Sequence, residues 1–590
     1  MHSRRESHRR SMAAERVLQV FAAVAVLVFL VTGIVYLYLG RWTVTHQDFW
    51  LIYEAYFNHS WLESAVLKYY NHSLFFPTLL RLADLHFFHG DQEPLFFVGL
   101  ALLFITASLL LIPIWRDKTV SLTAKSMSTL VMIVGNFWMG RSVITASGGF
   151  NCENSLVMAG GALAFLFLPK MSASGTGLLQ PMLIVIFAGL VASFSFGAGV
   201  AIWPTLLFLG WCLRLPRYCI GLLIAAGVGT AVVYVLLPEA FSIPDSLPTT
   251  PTARVAFLWL FRLVGNPVSN AVFAWWPKEP YVYLVAYPSL ATFTGVIGLA
   301  LLAAAVVPQI IRRDIEKSSL EFTGLALVLF NILALLLVLA GRSGSKSISA
   351  AALPRYFFWS ALFWTGLCLV GIARVDAKPR LRWIVYIVVL ALPLMVFPAH
   401  RKNALYQRRV RTAAEYDAIG LINRVQLDEQ QIGTLFFKGW PVEFYQAVEQ
   451  MRLRRLDMFA AGFQDWIGLN QANVFGRRRK PEGLKGECTV AALVQCDNGA
   501  PAARVIGHAW KGSGLIPETL VMVDASGIIR GVARSSTISP LINRVFYLGK
   551  LNTNEFVGYI RDYNPQIQYG VLSTDNGILS EEEICVEPGS

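Results

Sequence analysis

Residues 17–40 have the sequence VLQVFAAVAVLVFLVTGIVYLYLG, which contains no charged residue. A helix of about 20 apolar residues spans the ~30 Å hydrocarbon core of a bilayer, so this stretch predicts a membrane-spanning helix. It follows a basic segment that contains Arg4, Arg5, Arg9, Arg10 and Arg16. The run is longer than the apolar core of a signal peptide, and no small-residue cleavage site stands out. We therefore interpret it as a retained first span, with residues 1–16 in the cytoplasm.

The composition of the whole chain agrees with this interpretation. The 590 residues are 55% apolar and 15% charged, and the mean hydropathy is +0.53. A soluble domain has about 25% charged residues, so we exclude an ordinary cytosolic enzyme and a disordered chain. The net charge of +13 does not indicate nucleic-acid binding, because most basic residues lie in short loops between apolar runs, where they set membrane orientation. We expect membrane lipids as partners and no nucleic acid.

Apolar runs of about 17–25 residues predict about eleven spans in a transmembrane domain over residues 17–400. They lie near 17–40, 94–114, 124–140, 153–169, 178–196, 198–213, 218–237, 288–311, 320–340, 356–373 and 383–398. Basic residues occupy alternate connections, which places the N-terminus in the cytoplasm. An odd number of spans then puts the tail outside, together with the two long connections 41–93 and 238–287. In a bacterium, this predicts a multi-pass protein of the inner membrane.

The connection 41–93 begins with an aromatic stretch that contains Phe49, Trp50, Ile52 and Tyr53. Apolar residues at helical spacing, mixed with a few acidic ones, are typical of a helix that lies in the plane of the lipid headgroups. We therefore expect such an interfacial helix just after the first span.

The C-terminal tail differs from the rest of the chain in composition. Residues 401–484 have apolar positions at helical spacing, while short β runs with Gly, Asn and Asp turns begin near residue 485. We predict a periplasmic α/β domain that ends in a small β-sandwich over residues 485–590. Cys488 and Cys496 could pair in an oxidising compartment, with Cys585 as a third candidate partner, or they could remain free thiols.

The spans are nearly free of charge, so ionisable residues at their outer ends are the candidates for chemistry. Asp48, in THQDFW (residues 45–50), follows the first span. A carboxylate there could act as a general base toward a hydroxyl, or it could cap the helix that follows. His72, in YYNHSLFFP (residues 69–77), could hydrogen-bond a phosphate or a sugar. The alternative for His72 is an ordinary interfacial residue.

Two arginines occupy similar positions. Arg355, in LPRY (residues 353–356), offers a fork of donors that matches phosphate oxygens, and Tyr356 adds a hydroxyl. Arg141 lies close in sequence to GGFN (residues 148–151), which ends at Asn151. The alternative for both arginines is that they extend to the lipid headgroups without binding a substrate. No metal-ligand spacing is visible, so we predict no metal site and no cofactor.

The order of these motifs resembles the GT-C superfamily of glycosyltransferases, integral membrane enzymes that take sugars from polyprenyl-phosphate donors. The chain has one span, then an outer loop with an early Asp48, then a helix ending in FFHG (residues 87–90) before the second span. Four short motifs resemble a group of bacterial GT-C-like proteins of poorly defined acceptor: NHSLFFP (71–77), GFN (149–151), FSFGAG (194–199) and PRY (354–356). Many superfamily members have two adjacent acidic residues, whereas here Phe49 follows Asp48.

The resemblance implies a GT-C-like fold and a hexosyl- or pentosyltransferase with Asp48 as its base. It implies a polyprenyl-phosphate-linked sugar as donor and an envelope glycan, lipid or protein as acceptor. The substrate-binding candidates are His72, Arg141, Asn151, Arg355 and Tyr356. Two other classes remain open. A transporter or flippase would have inverted repeats and broken helices, and a non-catalytic envelope scaffold would use its outer domain to bind a partner.

Overall fold

The computed structural model describes residues 2–69, 71–172, 178–240, 252–312, 318–342, 347–436, 441–476, 479–480, 484–511, 517–536, 538–575, 578–580 and 583–587. The chain divides into two compact units. Unit 1 contains Met1–Tyr38, Trp61–Leu80 and Leu95–Ala404, and unit 2 contains Leu39–Ser60, Arg81–Pro94 and Leu405–Ser590. The chain passes between the units several times, including within its first and its longest helix.

Helices dominate the chain up to residue 476. They are α1 (His2–Gly40), α2 (Phe49–Asn58), α3 (Trp61–Val66), α4 (Phe75–Phe88), α5 (Glu93–Arg116), α6 (Leu122–Phe137), α7 (Ser142–Thr145), α8 (Gly148–Phe167), α9 (Leu179–Ser193), α10 (Ile202–Cys212), α11 (Arg217–Leu236), α12 (Ala253–Phe273), α13 (Pro280–Ala286), α14 (Pro288–Arg312), α15 (Ser319–Arg342), α16 (Phe357–Asp376), α17 (Pro379–Ile422), α18 (Glu429–Leu435), α19 (Pro441–Leu453) and α20 (Gln471–Phe475). A two-stranded hairpin, β1 (Lys68–Tyr69) and β2 (His72–Ser73), lies in unit 1.

The chain is a polytopic helical membrane protein. Ten helices of the described residues are long and apolar enough to cross a bilayer. They are Ala13–Gly40, Glu93–Arg116, Leu122–Thr145, Gly148–Met171, Arg217–Leu236, Ala253–Phe273, Pro288–Ile311, Ser319–Arg342, Pro354–Asp376 and Arg380–Ile422. The predicted spans near 178–196 and 198–213 are two shorter apolar helices, Leu179–Ser193 and Gly197–Cys212. The span at 253–273 was not predicted, because we assigned it to the outer connection 238–287.

Hydrogen bonds between helix ends define two sides of unit 1. On one side, which we call the exit side, Asn403 Nδ2 donates to Asn270 Oδ1 at 3.0 Å, close to the point where α17 leaves the unit. On the other, the opposite side, the Asp376 carboxylate accepts from the backbone N–H and the hydroxyl of Ser121 at 2.9 and 2.6 Å. The polar ends of the helices therefore meet in two separate layers.

Two polar residues of helix α12 make contacts on the exit side. Asn270 contacts Asn403, and Arg262, eight positions earlier, donates to the carbonyl oxygen of Ile348 at 3.5 Å in the turn between α15 and α16.

Close helix crossings in unit 1 depend on glycine. A Cβ added to Gly295 in α14 would collide with the carbonyl of Phe261 in α12, and a Cβ on Gly265 would collide with Ala291. Small residues let the backbones of membrane helices approach closely, and the contact energy comes from van der Waals packing. These glycines therefore set the distance between α12 and α14.

In its described residues, unit 2 contains α2, α18–α20, a further helix α21 (Pro540–Tyr547) and nine strands. The strands are β3 (Arg479–Lys480), β4 (Leu484–Gln495), β5 (Pro501–Lys511), β6 (Thr519–Asp524), β7 (Ile529–Ser535), β8 (Glu555–Arg561), β9 (Tyr569–Asp575), β10 (Ile578–Ser580) and β11 (Ile584–Glu587). The first long strand, β4, begins at Leu484, in agreement with the predicted start of β runs near residue 485.

Seven of these described strands form a closed β-barrel, so the prediction of a β-sandwich is wrong. Their order is β11-β4-β5-β8-β7-β6-β9, and β11 pairs with β9 as well as with β4, which closes the sheet on itself. Most neighbouring strands are antiparallel, but β11 runs parallel to β4. Alternating short strands are compatible with a sandwich or a barrel, and only the pairing of β11 decides between them.

The barrel interior is filled by side chains. Phe556, Ile560, Val571 and Met522 are among the buried residues of one continuous core, which also contains Cys488. Cys488, Cys496 and Cys585 are free thiols in the structure, and so the alternative of a disulfide between two of them is not observed.

The aromatic side chains of α2, which predicted a helix in the headgroup plane, are buried inside unit 2. Trp50 is fully buried, its Nε1–H donates to the Leu435 carbonyl at 3.1 Å, and its ring packs edge-on against Phe444 of α19. The amphipathic pattern that we assigned to lipid is therefore satisfied by protein.

Candidate functional site

The exit side of unit 1 brings together the turns that carry Arg141, Arg355 and Tyr356. The backbone N–H of Met139 donates to His400 Nδ1 at 3.1 Å, three residues before Asn403. The 3-10 turn Met139–Arg141 packs against the turn Pro354–Tyr356, which begins the span containing α16. The sequence placed these residues at outer ends of separate spans, and the structure makes their turns neighbours.

Arg141 holds the end of α6 in place. It is fully buried, and its Nη1 donates to the carbonyl oxygens of Gly135 and Asn136 at 2.7 and 3.1 Å. Its guanidinium lies 4.0 Å from the centroid of the Phe358 ring. The last carbonyls of a helix have no partner within the helix, so the first role of Arg141 is to satisfy them. A substrate phosphate could reach only its remaining donors.

Arg355 is in a different environment. Its side chain is exposed, its guanidinium lies 5.7 Å from the Tyr356 ring centroid, and it makes no hydrogen bond or ion pair with any residue that the structure describes. The backbone before it is fixed, because Asn266 Nδ2 donates to the Ala351 carbonyl at 2.7 Å. Tyr356 is buried and packs edge-on against Trp259. Arg355 is thus an accessible cation on an anchored turn.

His72 lies in the β1–β2 hairpin of unit 1. Its ring packs 4.6 Å from the Phe196 ring and against Gly197, and the neighbouring Ser73 N–H donates to Tyr234 Oη at 2.9 Å. Burial, and then the positive charge of Arg342, lower the pKa of His72 to about 4. The imidazole is therefore neutral at neutral pH, and it can hydrogen-bond a phosphate or sugar but cannot neutralise a charge.

Asn151 contributes to helix packing. A Cβ on Gly99 of α5 would lie within 3 Å of the Asn151 side chain, and Asn151 Oδ1 accepts a hydrogen bond from Ser155 at 2.7 Å. Two residues further along α8, Glu153 is also buried. Glu153 was not among the predicted site residues, although a carboxylate in a span is costly and is the usual signal of a functional residue.

Asp48 belongs to unit 2 and occupies the N-cap position of α2. Its side chain makes no capping hydrogen bond, and its own backbone is already helical, so the capping role is not observed. The residue before it, Gln47, has a positive φ of 50° and donates its N–H to the Leu435 carbonyl at 2.6 Å. The Asp48 carboxylate is half-buried on a turn of fixed conformation.

The segment that leads to Asp48 is fixed by contacts within unit 2. His46 stacks on Trp42 with ring centroids 3.8 Å apart, and burial lowers the pKa of His46 to about 3. The Thr45 N–H donates to Asp457 Oδ2 at 2.6 Å. On the other side of Asp48, the Arg81 guanidinium lies 4.7 Å from the Phe49 ring centroid.

Two buried carboxylates of unit 2, Asp84 and Asp457, were not among the predicted site residues. Burial is the largest cause that raises the pKa of each to about 7, and the nearby Asp91 adds to the rise in both. For Asp457, the hydrogen bonds from Thr45 oppose the rise without cancelling it. The spacing of Arg81 and Asp84 on one helix was visible in the sequence, but nothing in it linked them to residue 457.

Among the described residues, no group of three or more His, Cys, Asp or Glu side chains could hold a metal ion. No protein-family model matches the sequence, and no curated protein is significantly similar to it.

Proposed function

We propose that the chain is a membrane glycosyltransferase that transfers a sugar from a polyprenyl-phosphate donor to an envelope glycan, lipid or protein. In this proposal, the protein lies in a bacterial inner membrane, and the reaction takes place at the periplasmic face. The motifs that resemble the GT-C superfamily and the multi-pass architecture support it. The single observation that carries it is Arg355, an exposed cation at the membrane end of a span with no anionic partner among the described residues.

The proposed reaction needs one base and one group that stabilises negative charge. Asp48 accepts the proton of an acceptor hydroxyl, whose oxygen attacks the anomeric carbon of the donor sugar. The bond from that carbon to the phosphate oxygen breaks, and polyprenyl phosphate leaves with the electron pair, so the configuration inverts. A positioned base typically contributes about 10²–10⁴ in rate, and a cation aimed at the leaving phosphate about 10²–10³.

The environments of the other residues refine their roles. Arg141 is a positioning residue, because it fixes the turn that packs against the Arg355 turn. His72 is a neutral hydrogen-bonding group for the phosphate or the sugar. Asn151 sets the packing of α8 against α5. Tyr356 anchors the Arg355 turn by packing against Trp259. Asp48 and Arg355 belong to different units, so their roles are tested separately.

The test uses the full chain in proteoliposomes with radiolabelled undecaprenyl-phosphate hexoses and pentoses and an envelope extract as the acceptor source. The measurement is the release of undecaprenyl phosphate together with label in the acceptor fraction. We expect Asp48→Asn and Arg355→Gln each to lower the rate about 100-fold or more. The matched control is Arg217→Gln, an exposed arginine at the start of α11, which should leave the rate unchanged.

Normal transfer by a folded Asp48→Asn variant would remove Asp48 from the mechanism. If label crosses the liposome membrane and no glycosyl product forms with any donor, the chain is a transporter or flippase. If a variant of the outer domain loses binding to an envelope partner while the label in the acceptor fraction is unchanged, the chain is a scaffold.

A further inference from the structure

Helix α21 of unit 2 exposes apolar side chains. Leu541, Val545 and Leu548 are 70%, 59% and 60% exposed. They lie at positions i, i+4 and i+7, so they form one stripe along a single face that ends at the C-cap residue of the helix.

The orientation of this helix is fixed from the inside by polar contacts. Asn543 is buried and makes two hydrogen bonds with the backbone of Leu551, donating at 2.6 Å and accepting at 3.2 Å. Tyr547 is fully buried, and the Ser539 hydroxyl accepts from the Ile542 N–H at the first turn. The helix therefore turns an asparagine inward and a leucine and a valine outward. A helix on a water-exposed domain has the reverse arrangement.

The charged residues of this helix and of the turn that follows it are cations. Arg544 lies on the exposed surface of the helix, and Lys550 is exposed just beyond it. Between Ser536 and Asn554 the sequence contains no other charged residue. An apolar stripe flanked by cations is typical of a helix that lies in the interface of an anionic bilayer.

We propose that α21 docks on the anionic lipid surface of the membrane that carries the spans of this chain. Leu541, Val545 and Leu548 enter the headgroup region, and Arg544 and Lys550 meet lipid phosphates. The chain is continuous from the spans into unit 2, which keeps the effective concentration of the helix at the bilayer high. A second copy is a poorer occupant, since it would bring the same cations against themselves. This proposal does not depend on the enzymatic one.

The test places the photoreactive residue p-benzoylphenylalanine at position 541 of the full chain in phosphatidylglycerol-containing nanodiscs. The matched control is position 493, because Leu493 on β4 is 73% exposed but lies outside the stripe. After irradiation, mass spectrometry measures lipid adducts. We expect adducts at position 541 several-fold above those at position 493. Replacing Arg544 with Gln should weaken the association of α21 with the lipid surface about fivefold, because that is the effect of one cation at an anionic surface. The lipid adducts at position 541 measure this change.

Equal lipid adducts at positions 541 and 493, or none at either, would overturn the proposal. Cross-links from position 541 to a second copy of the chain or to another protein would also overturn it, because they would identify a protein occupant. Position 545 provides a second probe if the substitution at 541 disturbs the helix, and the same outcomes decide. In nanodiscs of phosphatidylcholine alone, we expect fewer adducts at position 541.

Discussion

Unit 1 and the barrel of unit 2 contain the same apolar residue types, but these residues face inward in the barrel, whereas many of them face outward in unit 1. In the barrel, Phe556 and Ile560 point inward and are fully buried, whereas Phe293 and Leu301 of α14 are 64% and 47% exposed. Burial from water stabilises the barrel. Lipid tails are as apolar as leucine, so moving an apolar side chain from lipid into the protein adds little stability to a membrane helix. An exposed leucine is therefore ordinary in unit 1, while a stripe of exposed apolar residues in unit 2, such as α21, requires an explanation.

The largest expected effect tests this difference directly. Phe556→Ala should lower the free energy of unfolding of the barrel by ~3–5 kcal/mol, because it leaves a cavity in a filled interior. Phe293→Ala should cost less than ~1 kcal/mol, because that ring faces outward from α14. Labelling of the buried thiols Cys488 in the barrel and Cys212 in unit 1, measured by mass spectrometry during heating, reports each unit separately. Equal shifts in both variants would contradict the comparison.

The buried carboxylates of unit 2 should make its stability depend on pH. The folded-state pKa values of Asp84 and Asp457, about 7, lie above the unfolded value, so the folded state binds more protons between about pH 4 and pH 7. Their contribution is full below about pH 4 and is lost as the pH rises through 7. Asp457→Asn, at a position with φ of 51° that asparagine tolerates, should remove up to ~2–4 kcal/mol of this dependence.

The measurement is the thermal exposure of Cys488 at pH 5 and pH 8. Wild-type protein should be less stable at pH 8, and the Asp457→Asn variant should show a smaller difference. The exposure of Cys212 in unit 1 serves as the internal control. A difference between the two pH values that is unchanged in the variant would show that Asp457 is ionised in the folded state throughout this range.

Glycine substitutions should separate close helix crossings from lipid-facing surface within unit 1. Gly295→Leu should destabilise unit 1 by ~1–3 kcal/mol, because its side chain would have to push α12 away. Gly229→Leu in α11 is the matched control, since a Cβ there meets nothing within 4 Å, and it should be neutral or slightly stabilising. Thermal unfolding in nanodiscs measures both, and similar costs would mean that α12 and α14 are not held at this distance.

The smallest expected effects distinguish the two arginines of the exit side. Arg141→Gln should cost ~1–2 kcal/mol, because a shorter side chain cannot reach both helix carbonyls, and hydrogen bonds in membranes have about this value. Arg355→Gln should change stability by less than ~0.5 kcal/mol, as expected for an exposed residue. If Arg355→Gln were the more destabilising of the two, its side chain would have a structural partner, and its proposed role would fail.

The sequence predicted the helical membrane architecture well, because a hydropathy window measures a local property. It failed for α12, whose hydropathy is diluted by Arg262, Asn266 and Asn270, the residues that contact the exit side. It also failed for the barrel, because closure depends on the pairing of β11 with two strands far away in the chain. Neither a hydropathy window nor a strand pattern contains that information.

The candidate site was predicted in the same uneven way. The sequence identified Arg355 and Arg141 by their positions at span ends, but only the contacts separate an accessible cation from a helix-terminating one. It gave His72 as a hydrogen-bonding group, but not that burial beside Phe196 and near Arg342 keeps its imidazole neutral. The role of Asp457 could not be predicted from the sequence, because Asp457 accepts its hydrogen bond from Thr45, a residue far away in the chain.

The closure of the barrel by β11 also concerns how the protein is made. Strand β4 is synthesised long before β11, and until β11 pairs with it one edge of β4 and the part of β9 at Gly570 and Val571 remain open. Open edges are templates for pairing with other chains, so the nascent domain passes through an aggregation-prone stage that ends only when translation reaches residues 584–587. Removing these few residues would leave the finished protein permanently in that stage.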